Sequence, residues 1–248
     1  MKFHVLTLFP EHIHDGLNSS IIKKAREKDL IQLNLVNIRD YANNKHHRVD
    51  DYPYGGGAGM VMQPGPIVRA YEDVKKDAPS LKRVIYLSPQ GATLTQEKVI
   101  ELASEEELMF ICGHYEGIDE RAIDAVVTEE LSIGDYILTG GEMAAMIVID
   151  AVSRHIDGVL SNNVSMDIES FDNSLLEYPQ YTRPFDYQGM KVPDVLISGN
   201  HKKIEDYRHE QSLIRTASKR PDLLKHATLS DEDIKFLKNT CHIEEDML

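Results

Sequence analysis

The chain has 248 residues, 42% of them hydrophobic, and sets 41 Asp and Glu against 27 Lys and Arg, a formal net charge of −14. That length suits one large domain, or a medium domain with a smaller companion, and supplies enough apolar material for a real core. The acidic balance excludes a protein that coats nucleic acid indiscriminately, because displacing counterions from phosphates requires excess positive charge; a local basic surface on an acidic body stays open.

The apolar run Phe3–Phe9 reads as a strand; broken by His4 and ended by Pro10, it is too short for a secretory signal. Asn18-Ser19 can cap a helix whose Ile21, Ile22 and Ala25 share a face, and Leu33–Ile38 returns as a strand. Val84–Leu87 and Leu108–Cys112 have strand length and flank a helical pattern over Gln96–Ala103. Met143–Ile156 reads as a helix with a broad apolar face. Its apolar stretch Met143–Ile149 is closed by Asp150, far below the ~20 residues of a membrane span, so a soluble cytoplasmic chain is expected. Strands alternating with helices imply an α/β fold with a largely parallel sheet covered on both sides. Cys112 sits among Leu108, Met109, Phe110 and Ile111 and reads as a buried small hydrophobe.

Composition shifts after Gly158-Val159-Leu160. Residues 161–172 are polar and without period, an exposed linker. Beyond them come Pro179, Pro184 and Pro193, a helical pattern from Lys202 to about Ala217, and more helix after Pro221. The chain therefore divides into an α/β domain over 1–160, a linker over 161–174 and a small helical domain over 175–248.

Ten of the fifteen glycines fall into two stretches, 55–65 and 113–141, the second in loops that follow apolar runs. In parallel α/β sheets ligands bind beyond the carboxyl ends of strands, where glycine lets a backbone approach them closely. There is no Gly-x-Gly-x-x-Gly and no Gly-x-x-x-x-Gly-Lys-Ser/Thr, so dinucleotide and phosphate cradles are disfavoured. Without His-Glu-x-x-His or Cys-x-x-Cys a dedicated zinc site is not expected, and His12, His14, His46 and His47 read as solvated. The loops suit a ligand held mainly by backbone groups, and composition stops there.

The motifs themselves go further. Asp50-Asp51-Tyr52-Pro53-Tyr54-Gly55-Gly56-Gly57-Ala58-Gly59-Met60 resembles a hallmark of the bacterial tRNA (guanine-N1)-methyltransferases. So do Cys112-Gly113-His114-Tyr115-Glu116-Gly117, Ile133–Glu142 (IGDYILTGGE) and Tyr181-Thr182-Arg183-Pro184, followed by Ser198-Gly199-Asn200-His201 and Arg215–Leu223 (RTASKRPDL). The resemblance implies methylation of guanosine N1 at position 37 of tRNA with S-adenosylmethionine. It also implies a fold of the SPOUT superfamily with a C-terminal trefoil knot, and an obligate homodimer whose active sites are built from both subunits.

By the same resemblance, the cofactor is held by Leu87, Ser88 and Gln90, by Gly113, Tyr115, Glu116 and Gly117, and by Ile133, Gly134, Tyr136, Leu138, Gly140 and Gly141. Ala144 departs from the proline the family commonly carries there, which leaves a donor to satisfy and a freer loop. Guanine N1 must lose its proton before methylation, and the negative charge that develops on O6 needs a cation or donor. The family's arginine matches Arg154. Its base lies in an Asp-Ser-Phe triplet where this chain has Glu169-Ser170-Phe171, a carboxylate one methylene further out; Asp167 is the fallback. The family also implies a divalent ion, Mg²⁺, for which Glu116 and Glu169 are the available carboxylates.

From His201 to Lys225, seven basic side chains (Lys202, Lys203, Arg208, Arg215, Lys219, Arg220 and Lys225) stand against Glu205, Asp206, Glu210 and Asp222. Lys202, Arg208, Arg215 and Lys219 are the candidate tRNA phosphate contacts. The competing reading is a protein that kept the fold, cofactor and RNA binding but lost methyl transfer; Glu169 and Ala144 are its only support.

Overall fold

Apolar runs form the centre of one parallel sheet, because the strands there present hydrophobic side chains to both faces. The computed structural model describes residues 1–160 and 170–243, and the chain separates into two compact units, Met1–Ser161 and Asn162–Leu248. In the first unit, β1 (Lys2–Thr7), β2 (Gln32–Asn37), β5 (Arg83–Thr93), β6 (Glu107–Cys112) and β7 (Glu129–Ser132) align in the order β2-β1-β6-β5-β7, all pairs parallel. Two-residue strands β3 (Asp50–Asp51) and β4 (Val61–Met62) form a separate antiparallel hairpin.

Period-2 alternation sorts the side chains of β6. Leu108, Phe110 and Cys112 enter one core layer, while Met109 and Ile111 enter the other. The first layer is closed by α1 (Pro10–Gly16), α2 (Ser20–Glu27), α4 (Gln96–Ala103) and α6 (Glu142–Ser153); the second by α3 (Pro64–Lys76) and α5 (Glu120–Val126). Two of these helices begin at side-chain caps: Thr95 accepts from the Lys98 N–H and Asp119 from the Arg121 N–H.

Boundaries differ from the sequence expectation in three places. β1 stops at Thr7, short of Phe9, because Pro10 takes the first turn of α1, where its missing N–H costs nothing. Ser19 is the N-cap of α2 without a side-chain cap bond, and Ile21 is exposed while Ile22 and Ala25 are buried; the buried stripe is narrower than composition suggested. The last helix of the unit ends at Ser153, with Arg154 at its C-cap.

The second unit contains α7 (His201–Lys219), capped by Asn200 accepting from the Lys203 N–H, and α8 (Asp231–Phe236), capped by a Ser230–Asp233 box. A hairpin of β8 (Asp186–Tyr187) and β9 (Met190–Lys191) precedes them. Their core is small: Leu175, Leu213, Leu224 and Leu237 are its buried members. Buried Thr216 accepts from the Leu176 N–H at 2.9 Å and donates to the Ser212 carbonyl at 2.7 Å, tying the incoming segment to α7. No helix among the described residues is long and apolar enough to cross a membrane.

So small a core makes the second unit the first to open. Leu213→Ala should destabilise it by about 2–5 kcal/mol. Hydrogen exchange should show lost protection along α7 while β1 and β6 remain protected.

Candidate active site

A bulge within β5 and the loops after β6 and β7 converge. The pairing of β5 with β7 breaks register between Leu87 and Ala92, so Ser88–Gly91 bulges from the ladder. Gly91 is needed there, since a Cβ would lie 2.5 Å from the Glu130 carbonyl carbon and the Leu131 nitrogen. The Ser88 hydroxyl accepts from the Gln90 N–H at 3.1 Å, holding the bulge in shape.

The loop after β6 turns at Tyr115, which takes a left-handed conformation. It is tied to the β3–β4 hairpin: Glu116 N–H donates to the Met60 carbonyl at 3.0 Å, and Met62 N–H to the Gly117 carbonyl at 3.0 Å. After β7, the Ser132 hydroxyl and the Gly134 backbone bond one another at 3.1 and 3.2 Å. The chain then closes on the second loop, with Gly141 N–H donating to the Gly113 carbonyl at 2.9 Å. A Cβ on Gly141 would sit 2.8 Å from the Cys112 Cα, so only glycine allows that approach.

These loops enclose a cavity of about 320 Å³, within the range of small-molecule sites. Leu87, Ser88 and Gln90 line it with Gly113, Tyr115, Glu116 and Gly117, and so do Ile133, Gly134, Tyr136, Leu138, Gly140 and Gly141. Every residue proposed for cofactor binding therefore faces one space. Tyr86, His114, Thr139 and Ala144 share it; His114 and Thr139 lie inside the quoted motifs, whereas Tyr86 sits on a strand and carries no such signal. Ala144 occupies the first turn of α6, where a proline is equally tolerated.

Beside Gly141 the packing is polar but buried. Thr7, at the end of β1, accepts from the Phe9 N–H at 2.9 Å and donates to Glu142 Oε1 at 2.8 Å, with both side chains buried. Burial, and then the neighbouring Glu142, pushes the Cys112 thiol well above its ordinary range, so it stays protonated. His114 packs its ring 5.1 Å from those of Phe9 and Tyr115, and its buried Nδ1 has no hydrogen-bond partner among the described residues.

This lining fits S-adenosylmethionine: half-exposed rings of Tyr115 and Tyr136, a buried nitrogen awaiting a partner, and backbone polar groups at the loop tips. It does not fit a dedicated metal centre. Among the described residues no three His, Cys, Asp or Glu side chains converge to hold an ion.

Arg154 lies elsewhere. It lines a second, larger hollow of about 870 Å³ with His12, Asp15, Met143, Met146, Ile147 and Asp150. That hollow runs along α6 to its C-cap, while the first cavity abuts the N-cap at Gly141. A helix of 12 residues is about 18 Å long, so within one chain Arg154 does not face the loop cavity. Glu169 and Asp167 lie outside the described residues. On α7, Arg208, Arg215 and Lys219 fall within about 40° of one another at 100° per residue, whereas Lys202 points away from them.

A family model described as tRNA (Guanine-1)-methyltransferase TrmD matches residues 1–226. A protein of Caldicellulosiruptor saccharolyticus named tRNA (guanine-N(1)-)-methyltransferase is 55% identical over 248 residues, 100% of this chain and 100% of its own. Proteins of the same name from Bacillus cereus strain AH820 and Bacillus anthracis strain CDC 684 are each 55% identical over 238 residues, 96% of this chain and 98% of theirs.

The Thr7–Glu142 bond is testable without any ligand. Thr7→Val leaves a buried carboxylate oxygen without its donor and should cost about 1–3 kcal/mol. Urea unfolding should show a lower midpoint at unchanged slope, and Thr7→Ser should restore it.

Proposed function

The chain belongs to the tRNA (guanine-N1)-methyltransferase family, and on that premise we propose that it methylates N1 of guanosine at position 37 of tRNA. The observation that carries this reading is the convergence of the β5 bulge and the glycine-rich loops after β6 and β7 on one cavity. When bound, S-adenosylmethionine supplies a methyl group on a sulfonium whose sulfur takes the C–S electron pair as the methyl leaves. The loops hold that donor through backbone groups and exclude water from the reacting atoms.

The Glu169 carboxylate takes the proton from guanine N1, freeing its lone pair to form the new N–C bond. Arg154 faces the charge that grows on O6 and lowers its energy. Because Arg154 and the loop cavity belong to opposite ends of α6, the reading requires two copies of the chain, each lending its arginine to the other's cavity. Met143 and Ile147, 47% and 44% exposed along the same hollow, supply an apolar surface for that pairing. A tRNA substrate places the reaction in the cytoplasm. Mg²⁺, implied by the family, enters no step here, since the described residues assemble no ligand set for it.

The basic surplus of α7 supplies phosphate contacts from Arg208, Arg215 and Lys219 on one face, with Lys202 reaching from another. The support for Glu169 as base is its place in the sequence, where the family carries aspartate.

Transcripts carrying guanosine or adenosine at position 37 test the reaction directly. Only the guanosine form should yield 1-methylguanosine, and Glu169→Gln should lower the rate about 10²–10⁴-fold while donor binding persists. Normal turnover by Glu169→Gln with an inactive Asp167→Asn would move the base to Asp167; tight donor binding by the wild-type chain without product would sink the enzyme reading. Gly141→Ala separates donor binding from chemistry: forcing a Cβ against Cys112 should weaken S-adenosylmethionine binding about tenfold by calorimetry.

A further inference from the structure

The helical unit holds a cavity of its own, of about 410 Å³, and apart from Arg208 the methylation reading gives its lining residues no role. One wall is the segment Tyr178–Phe185; the others are Leu196 and Ile197 of the turn before α7, and Ile204 and Arg208 of the helix. It is flat-sided and aromatic rather than simply greasy. Tyr178, Tyr181 and Phe185 line it together with polar Gln180, Thr182 and Arg183.

Arg208 is the informative member. An arginine serving only a phosphate extends into water, but this guanidinium lies over the Tyr178 ring, 4.8 Å from its centroid. Its Nε is buried and has no hydrogen-bond partner among the described residues. The stack fixes a planar cation against the cavity, which is costly to build for a contact that a flexible lysine could make. The Tyr181 phenol neighbours that of Tyr207 on α7. Tyr181 and Phe185 remain 46% and 43% exposed, so neither ring is covered.

Half-exposed rings, a planar cation and a second guanidinium at Arg183 are the features that receive an unstacked nucleobase and its phosphate. We propose that this cavity binds one unpaired base of the RNA, stacked against the aromatic wall beside the Arg208–Tyr178 pair. The base is a different one from the guanine that is methylated. This rests on tRNA being the substrate, and adds to it a point of readout within the helical unit.

The test uses the full-length protein and tRNA transcripts, intact or carrying a single abasic nucleotide at each unpaired position of the anticodon loop in turn. Phe185→Ala, at a half-exposed ring whose loss leaves the core of the unit intact, should weaken binding of the intact transcript about tenfold. It should leave S-adenosylmethionine binding unchanged. One abasic transcript should bind wild type and Phe185→Ala equally, because the stacked base is already missing. Arg208→Lys keeps the charge and loses the plane, and should behave as Phe185→Ala does. An equal loss on every transcript, no loss at all, or wild-type binding by Arg208→Lys would overturn the proposal. If wild type forms no 1-methylguanosine on the intact transcript, the functional reading fails, while the binding comparison still decides the cavity.

Discussion

The active-site architecture depends on one close approach. Gly141 comes within hydrogen-bonding distance of the Gly113 carbonyl, and the space its Cβ would need is filled by the Cys112 backbone. Every other feature of the cavity follows from that contact. It fixes where α6 begins, it brings the loop after β7 beside the loop after β6, and it leaves the β5 bulge as the third wall. The sheet beneath is what makes the approach rigid, since its central strands β1, β6 and the first half of β5 are buried on both faces and cannot shift singly. Where the contact is tightest, Thr7 and Glu142 tie the first strand to the first turn of α6.

α6 then acts as a spacer. One end shapes the cavity that suits the methyl donor, and the other presents Arg154 in a separate hollow. On the proposed reading, one chain holds the two parts of the reaction a helix length apart, and two copies are needed to bring them together. The exposed Met143 and Ile147 between them are what such an association would cover. The chain's large negative charge is not spread evenly: α7 sets five Lys and Arg against three Asp and Glu, so charge is better read by segment.

Much of this was legible in the residues. Leu108–Cys112 read as a buried strand because its apolar run is continuous, and the helix at Gln96–Ala103 appears with those same bounds. The loops that line the cavity were marked by their glycines, as close backbone packing demands. Less visible were α3, which opens on Pro64 and Pro66 and hides its apolar face, and β7, whose Glu129-Glu130-Leu131-Ser132 shows no strand pattern at all. β7 exists because β5 offers it an edge, a tertiary cause that local sequence does not carry. Tyr86 was hidden for the opposite reason: it looks like core on a strand, and only the loop after β6 turns its hydroxyl into cavity lining. The separation of Arg154 from the loop cavity was likewise invisible, because a motif gives the residue and says nothing of which end of a helix it will occupy.

The protein has no tryptophan and 11 tyrosines, and Tyr86, Tyr115 and Tyr136 all surround the loop cavity. Burial pushes the Tyr86 phenol upward, so it stays neutral across ordinary conditions. The molecule thus carries its own optical probe where the methyl donor would lie. Its ultraviolet emission comes from phenol rings alone, with no indole to absorb their energy or mask a change in their surroundings.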